Sequence, residues 1–90
     1  MSRKYYLVSI PGEKPRKRAC HDCLQVTLES LKRAFAQEFT TPVDPTNIRD
    51  IYCLDPEDGS QVGIGSDQSV TINMQAYIDI GQRPRFYWNN

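Results

Sequence analysis

Ninety residues with 39% hydrophobic and 24% charged side chains describe one small globular domain over 1–90, and exclude a disordered or fibrous chain. Eleven basic and eleven acidic residues cancel to a formal net charge of zero, which argues against a chain that simply coats nucleic acid or an anionic membrane. No apolar run approaches the roughly 20 residues of a membrane span. The opening MSRKYYLVSIPGE lacks the apolar centre of a signal peptide, so the expected location is cytoplasmic. Three cysteines, an odd number in a short chain, are a poor disulfide framework and agree with that compartment.

Lys4 to Ile10 is aromatic and β-branched and stops at Pro11-Gly12, which predicts a strand ended by a turn. Residues 16–24, opening on Arg16-Lys17-Arg18, are expected to supply its hairpin partner. Thr27 is placed to cap a helix, and Leu28, Leu31, Phe35 and Phe39 follow at spacings of 3, 4 and 4, an apolar stripe one helical face wide. Thr40-Thr41-Pro42 ends that helix, and Pro42 with Pro45 stiffens the connection beyond it. Ile48 to Leu54 predicts a third strand and Gln61 to Ile64 a fourth, joined through the turn-forming Asp55-Pro56-Glu57-Asp58-Gly59-Ser60. Val70 to Ile80 is compatible with a short helix or a strand. Arg85-Phe86-Tyr87-Trp88 predicts a closing strand whose aromatic rings serve the core and a sheet edge. Two hairpins around a helix point to an α+β fold, a mixed sheet of four to five strands with one main helix packed on one face. This is the element order of the ubiquitin-like β-grasp.

The zero net charge conceals a division along the chain. Residues 1–33 carry eight basic side chains against three acidic, and residues 34–90 carry three basic against eight acidic. Folded as above, such a chain presents a basic face and an acidic face, an arrangement suited to head-to-tail contact. The stretch from Ile51 to Asp67, IYCLDPEDGSQVGIGSD, resembles the acidic motif of Phox/Bem-type interaction domains, and the helix and last strand also fall where that family has them. The resemblance implies a β-grasp module in which Asp55, Glu57, Asp58 and Asp67 form the acidic face. It implies Lys4 as the basic counterpart, with Arg16, Lys17 and Arg18 beside it. The chain departs from the family pattern at Ser60 and Gln68-Ser69, where acids are common, and in placing Lys4 at the start of its strand. A more distant ubiquitin-like relative, doublecortin-like or Ras-association-like, is the second reading; it docks a separate globular partner.

Cys20-His21-Asp22-Cys23 invites two chemical readings. A closed zinc site would draw on Cys20, Cys23, Cys53 and His21, but a histidine between the paired cysteines suits a tetrahedral site poorly, so no metal is expected. Thiol–disulfide exchange uses a CxxC at a helix N-terminus, and a small thiol oxidoreductase is the alternative from the enzyme class. Here Leu24-Gln25-Val26 separates Cys23 from the cap at Thr27, beyond reach of the helix dipole. Two small buried side chains near a strand end are the simpler account. His21 is the only histidine, so no histidine pair forms. Asp55, Glu57 and Asp58 lack the ligand spacing and helices of an EF-hand, and Gly63 and Gly65 make no phosphate loop. No catalytic group, cofactor or small-molecule substrate is indicated. The short basic run reads as a protein-docking face rather than an RNA or lipid site. The expected function is a non-enzymatic interaction module that associates through opposite charges, with itself head to tail or with a related domain of another protein.

Overall fold

A computed structural model describes residues 4–38 and 43–89. Chain order is β1 (Tyr5–Ser9), β2 (Arg16–Ala19), a 3₁₀ turn at Cys23–Gln25, α1 (Leu28–Glu38), a 3₁₀ turn at Pro45–Asn47, β3 (Ile51–Leu54), β4 (Gln61–Gly63), α2 (Asp67–Asp79) and β5 (Arg85–Trp88). The strands form one mixed sheet in the order β2-β1-β5-β3-β4. β1 and β5 run parallel in the middle, Val8 opposite Phe86, and the other pairings are antiparallel.

Side-chain alternation sorts the sheet into two faces. Tyr6, Val8, Ile51, Cys53, Phe86 and Trp88 point into one buried cluster with Leu31, Ala34 and Phe35 of α1 and Val70 and Met74 of α2. Both helices therefore cover this face. Phe35 meets Trp88 edge-on at 6.2 Å between ring centres, and Tyr6 meets Phe86 the same way. The other face, carrying Tyr5, Leu7, Tyr52, Leu54, Arg85 and Tyr87, has no helix over it and is half-buried by its own side chains.

α1 forms as its spacing predicts. Thr27 and Ser30 exchange bonds across its first turn, the Ser30 N–H donating to Thr27 Oγ1 at 3.1 Å and the Thr27 N–H to Ser30 Oγ at 3.0 Å. Phe39 and Thr40-Thr41-Pro42, expected to complete the stripe and end the helix, lie outside the described residues, as does Arg3. β3 begins later than expected. Pro45–Asn47 makes a 3₁₀ turn and Asp50 takes φ 60°, so pairing starts at Ile51, although Ile48 is still fully buried.

The segment compatible with either a helix or a strand is a second helix, Asp67–Asp79, beside the main one. Ser66 caps it: the Ser69 N–H donates to Ser66 Oγ at 3.1 Å while the Ser66 N–H donates to Ser69 Oγ at 3.0 Å. Its far end closes at Gly81, where φ 74° lets the Gly81 N–H reach the Ile78 carbonyl and the Gln82 N–H the Tyr77 carbonyl. Val70, Met74 and Tyr77 are buried at helical spacing, and the Tyr77 hydroxyl donates to the Leu54 carbonyl, tying α2 to β3. Removing the capping hydroxyl in Ser66→Ala is expected to lower stability by about 1 kcal/mol in urea denaturation.

The CxxC also needs correction. Cys20 and Cys23, expected as two separate thiols, are joined by a disulfide across Cα atoms 5.3 Å apart, while Cys53 is free and buried. The odd count hid a pair three residues apart with one thiol left in the core. Cys23 opens the three-residue 3₁₀ turn, whose cap is the Asp22 carboxylate, rather than α1.

Candidate functional site

The sheet order sends the two charged hairpins to opposite edges, with β2 outermost on one side and β4 on the other. Four strand spacings, roughly 19 Å, separate them.

At the acidic edge the β3–β4 connection is held by its own side chains. The Asp55 N–H donates to the Ser60 carbonyl at 2.7 Å, and the Gly59 N–H to the Asp55 carbonyl at 2.8 Å. Gly59 takes φ 76°, a conformation that side-chain-bearing residues rarely adopt. Asp55 Oδ1 accepts from the Glu57 N–H and Asp58 Oδ1 from the Ser60 N–H. Hydrogen bonding from Ser60 holds the Asp58 carboxyl below its ordinary value, so it is a persistent anion. Beside these acids runs a groove of about 510 Å³ bounded by Asp55, Glu57, Val62, Ile72, Ala76 and Ile80. Ile72 and Ile80 of the α2 segment are 58% and 52% exposed, so the acidic hairpin borders an apolar strip.

Asp67 stands apart from that hairpin. Its Oδ1 accepts from the Leu28 N–H at 2.8 Å, joining the start of α2 to the start of α1. It lines a different groove, with Leu28, Lys32 and Asp44.

The basic candidates divide as well. Arg18 faces the helices, opposite Tyr6 in the β1–β2 pairing and within 3.4 Å of Glu38. Burial raises the Tyr6 pKa and Arg18 partly offsets it. Arg16 lies 3.7 Å from Glu13 at an exposed position, a contact of little energetic value. Lys17 projects to the uncovered face, its Nζ 4.9 Å from the Tyr5 ring centre. Lys4 precedes β1 and lines a groove of about 390 Å³ with Tyr5, Leu24, Ile78 and Arg83. The structure thus places Lys17 on the uncovered face beside Tyr5, Arg16 and Arg18 on the helix-covered side of the same edge, and Lys4 just before β1.

Sequence reasoning missed two cations. Arg83 and Arg85 belong by position to the acidic part of the chain, but the parallel β1–β5 pairing returns Arg85 to the centre of the sheet and Arg83, just before β5, to the Tyr5 ring. Arg83 stacks on Tyr5 at 3.8 Å, and Arg85 sits 5.1 Å from the Tyr87 ring while donating from Nε to Ser9 Oγ at 3.0 Å. Tyr87 in turn stacks on Tyr52, ring centres 5.2 Å apart. No local signal reveals this, since β1 and β5 meet only through the tertiary fold. Phe86 and Trp88 are core, as expected, and Tyr87 points the other way.

Among the described residues no three His, Cys, Asp or Glu side chains converge as metal ligands, and no helix is long and apolar enough to cross a membrane. No protein-family model, curated protein or solved structure shows a significant match to the chain. The described residues form an α+β domain with a mixed five-stranded sheet and two helices on one face.

Proposed function

We propose that the chain is a ubiquitin-like β-grasp interaction module of Phox/Bem type, non-enzymatic, that associates head to tail through opposite charged edges. The observation that carries this reading is the sheet order, which puts the β2 cations and the β3–β4 acids on opposite flanks of one sheet. A surface of one sign on each flank makes copies complementary along a line but not face to face, the condition for a heterologous contact that propagates. The β-grasp assignment rests on the same order, on the central parallel pair β1–β5, and on α1 lying across the sheet between the two hairpins.

Asp55, Glu57 and Asp58 serve as the acceptor group, and Lys4 and Lys17, with Arg16 on the opposite side of the same edge, as the donor group. Arg18 supports the donor edge from within, and Asp67 supports the acceptor side by fixing the start of α2. The apolar strip of Ile72 and Ile80 supplies area that a purely ionic contact lacks. Charges at the rim still set the salt response.

Light scattering behind size exclusion tests the reading. Mass is expected to rise above 10.4 kDa with protein concentration and to fall back as salt is added. A monomer at every concentration and salt level contradicts self-association and favours docking to a separate globular partner.

A further inference from the structure

We propose that the uncovered face of the sheet binds single-stranded nucleic acid, with a base stacking on the open ring of Tyr52 and phosphates held by Lys17, Arg83 and Arg85. This goes beyond the edge-to-edge association, which uses the flanks of the sheet and shares only Lys17 with its face.

The argument starts from register. The strand positions pointing to this side are occupied by aromatic, aliphatic, basic and small or amide side chains, with no acid among them. Half-buried tyrosines here have no helix to pack against. Instead they collect cations: Tyr5 lies between Lys17 and Arg83, and Arg85, Tyr87 and Tyr52 form a continuous stack across β5 and β3. That stack ends at an open ring. Opposite Tyr52 on β4 is Gly63, and a Cβ built there meets no atom within 4 Å. The outer surface of the Tyr52 ring therefore faces empty space of the kind a further planar group fills.

A planar group that stacks and also carries negative charge describes a nucleotide. Base–aromatic stacking is tolerant of sequence because every base has a π-face, and a cationic groove follows the backbone. Strand rise and spacing put the Tyr5 cluster and the Tyr52 ring roughly 16 Å apart, a span for a short oligonucleotide rather than one nucleotide. A duplex hides its base faces and cannot use the stack. The zero net charge is no obstacle: Glu13 and Asp22 border the grooves beside Arg85 and Arg83, and Glu13 lies within 3.7 Å of Arg16, so three cations outnumber the acids at this face.

Fluorescence anisotropy of a labelled thymidine dodecamer, run at low and high salt beside an abasic strand of equal length, tests the proposal. The dodecamer is expected to bind in a salt-sensitive way, the abasic strand about fivefold or more weakly, and Tyr52→Ala to lose the difference. Gly63→Leu covers the open ring without emptying any packed space, so it separates lost stacking from lost folding; it is expected to weaken the dodecamer by a similar factor while circular dichroism and thermal midpoint hold. Equal binding of both strands, or displacement of the dodecamer by polyglutamate with no effect of Gly63→Leu, overturns the proposal in favour of a phosphate-only or acidic-protein contact. No binding at low salt overturns it outright.

Discussion

Phe35→Ala is expected to lower the free energy of unfolding by about 3–5 kcal/mol, a large part of the whole for a domain of this size. Phe35 is fully buried and lies where α1 crosses the sheet, in contact with the Trp88 ring. Its removal loses the transfer energy of the ring and leaves a void that α1 and Trp88 cannot both close, since each is fixed by other packing. Urea denaturation should show a midpoint far below wild type with an unchanged slope. Ile72→Ala deletes three apolar carbons, half as many, at a position 58% exposed, and should change stability by no more than about 0.5 kcal/mol. Similar losses in the two variants would contradict the two-faced packing described above.

The second large effect is an alkaline transition centred on Cys53. Burial, and then the charge of Asp55, push its thiol from the ordinary 9.0 up to about 11. An acid whose pKa is raised by folding keeps its proton longer in the native state than in the unfolded chain. Unfolding between those values therefore releases a proton, and stability falls as pH rises. The contribution is intact below pH 9.0 and lost by about 11, worth roughly 2–3 kcal/mol at about 1.36 kcal/mol per pKa unit. Tyr6 and Tyr77 are raised as well, both first by burial, and act in the same direction. Urea titrations from neutral to strongly alkaline pH should show this decline, and Cys53→Ala should flatten it while lowering the neutral baseline through the cavity it leaves. A wild-type stability that stays level to pH 11 would place Cys53 outside the core.

What could be read from the sequence was whatever depends on neighbours. Thr27 with Leu28, Leu31 and Phe35 announces α1, because a cap and an apolar stripe are local properties. Pro11-Gly12 and Asp58-Gly59 announce both turns. α2 was illegible because Ile72, Ile78 and Ile80 remain 58%, 42% and 52% exposed, which blurs the stripe, while Val70, Ile72 and Met74 alternate as a strand would. Its start was written in Ser66 and Ser69, a serine version of the capping box more usually closed by Glu or Gln.

The charge pattern was legible only where sequence and space coincide. Arg16-Lys17-Arg18 and Asp55 to Asp58 each lie within one hairpin, so their separation carries into the fold. Arg83 and Arg85 do not follow that division: Arg85 meets Ser9 across 76 residues of chain, through the parallel pairing of the first and last strands. Asp67 shares the sign of the hairpin acids but is occupied at the Leu28 N–H, a role that composition cannot distinguish from a surface charge.

The most direct test of head-to-tail association is a mixing experiment with two complementary variants. Arg16→Glu/Lys17→Glu reverses the basic edge and Glu57→Lys/Asp58→Lys reverses the acidic hairpin, all at exposed positions away from the core. Each variant alone retains one native surface that finds no native counterpart in its own kind. Light scattering should give monomers for each alone and a salt-sensitive one-to-one dimer on mixing, joined through the two surviving native edges. Two folded variants that stay monomeric when mixed, beside a wild type that still assembles, would contradict association through these edges.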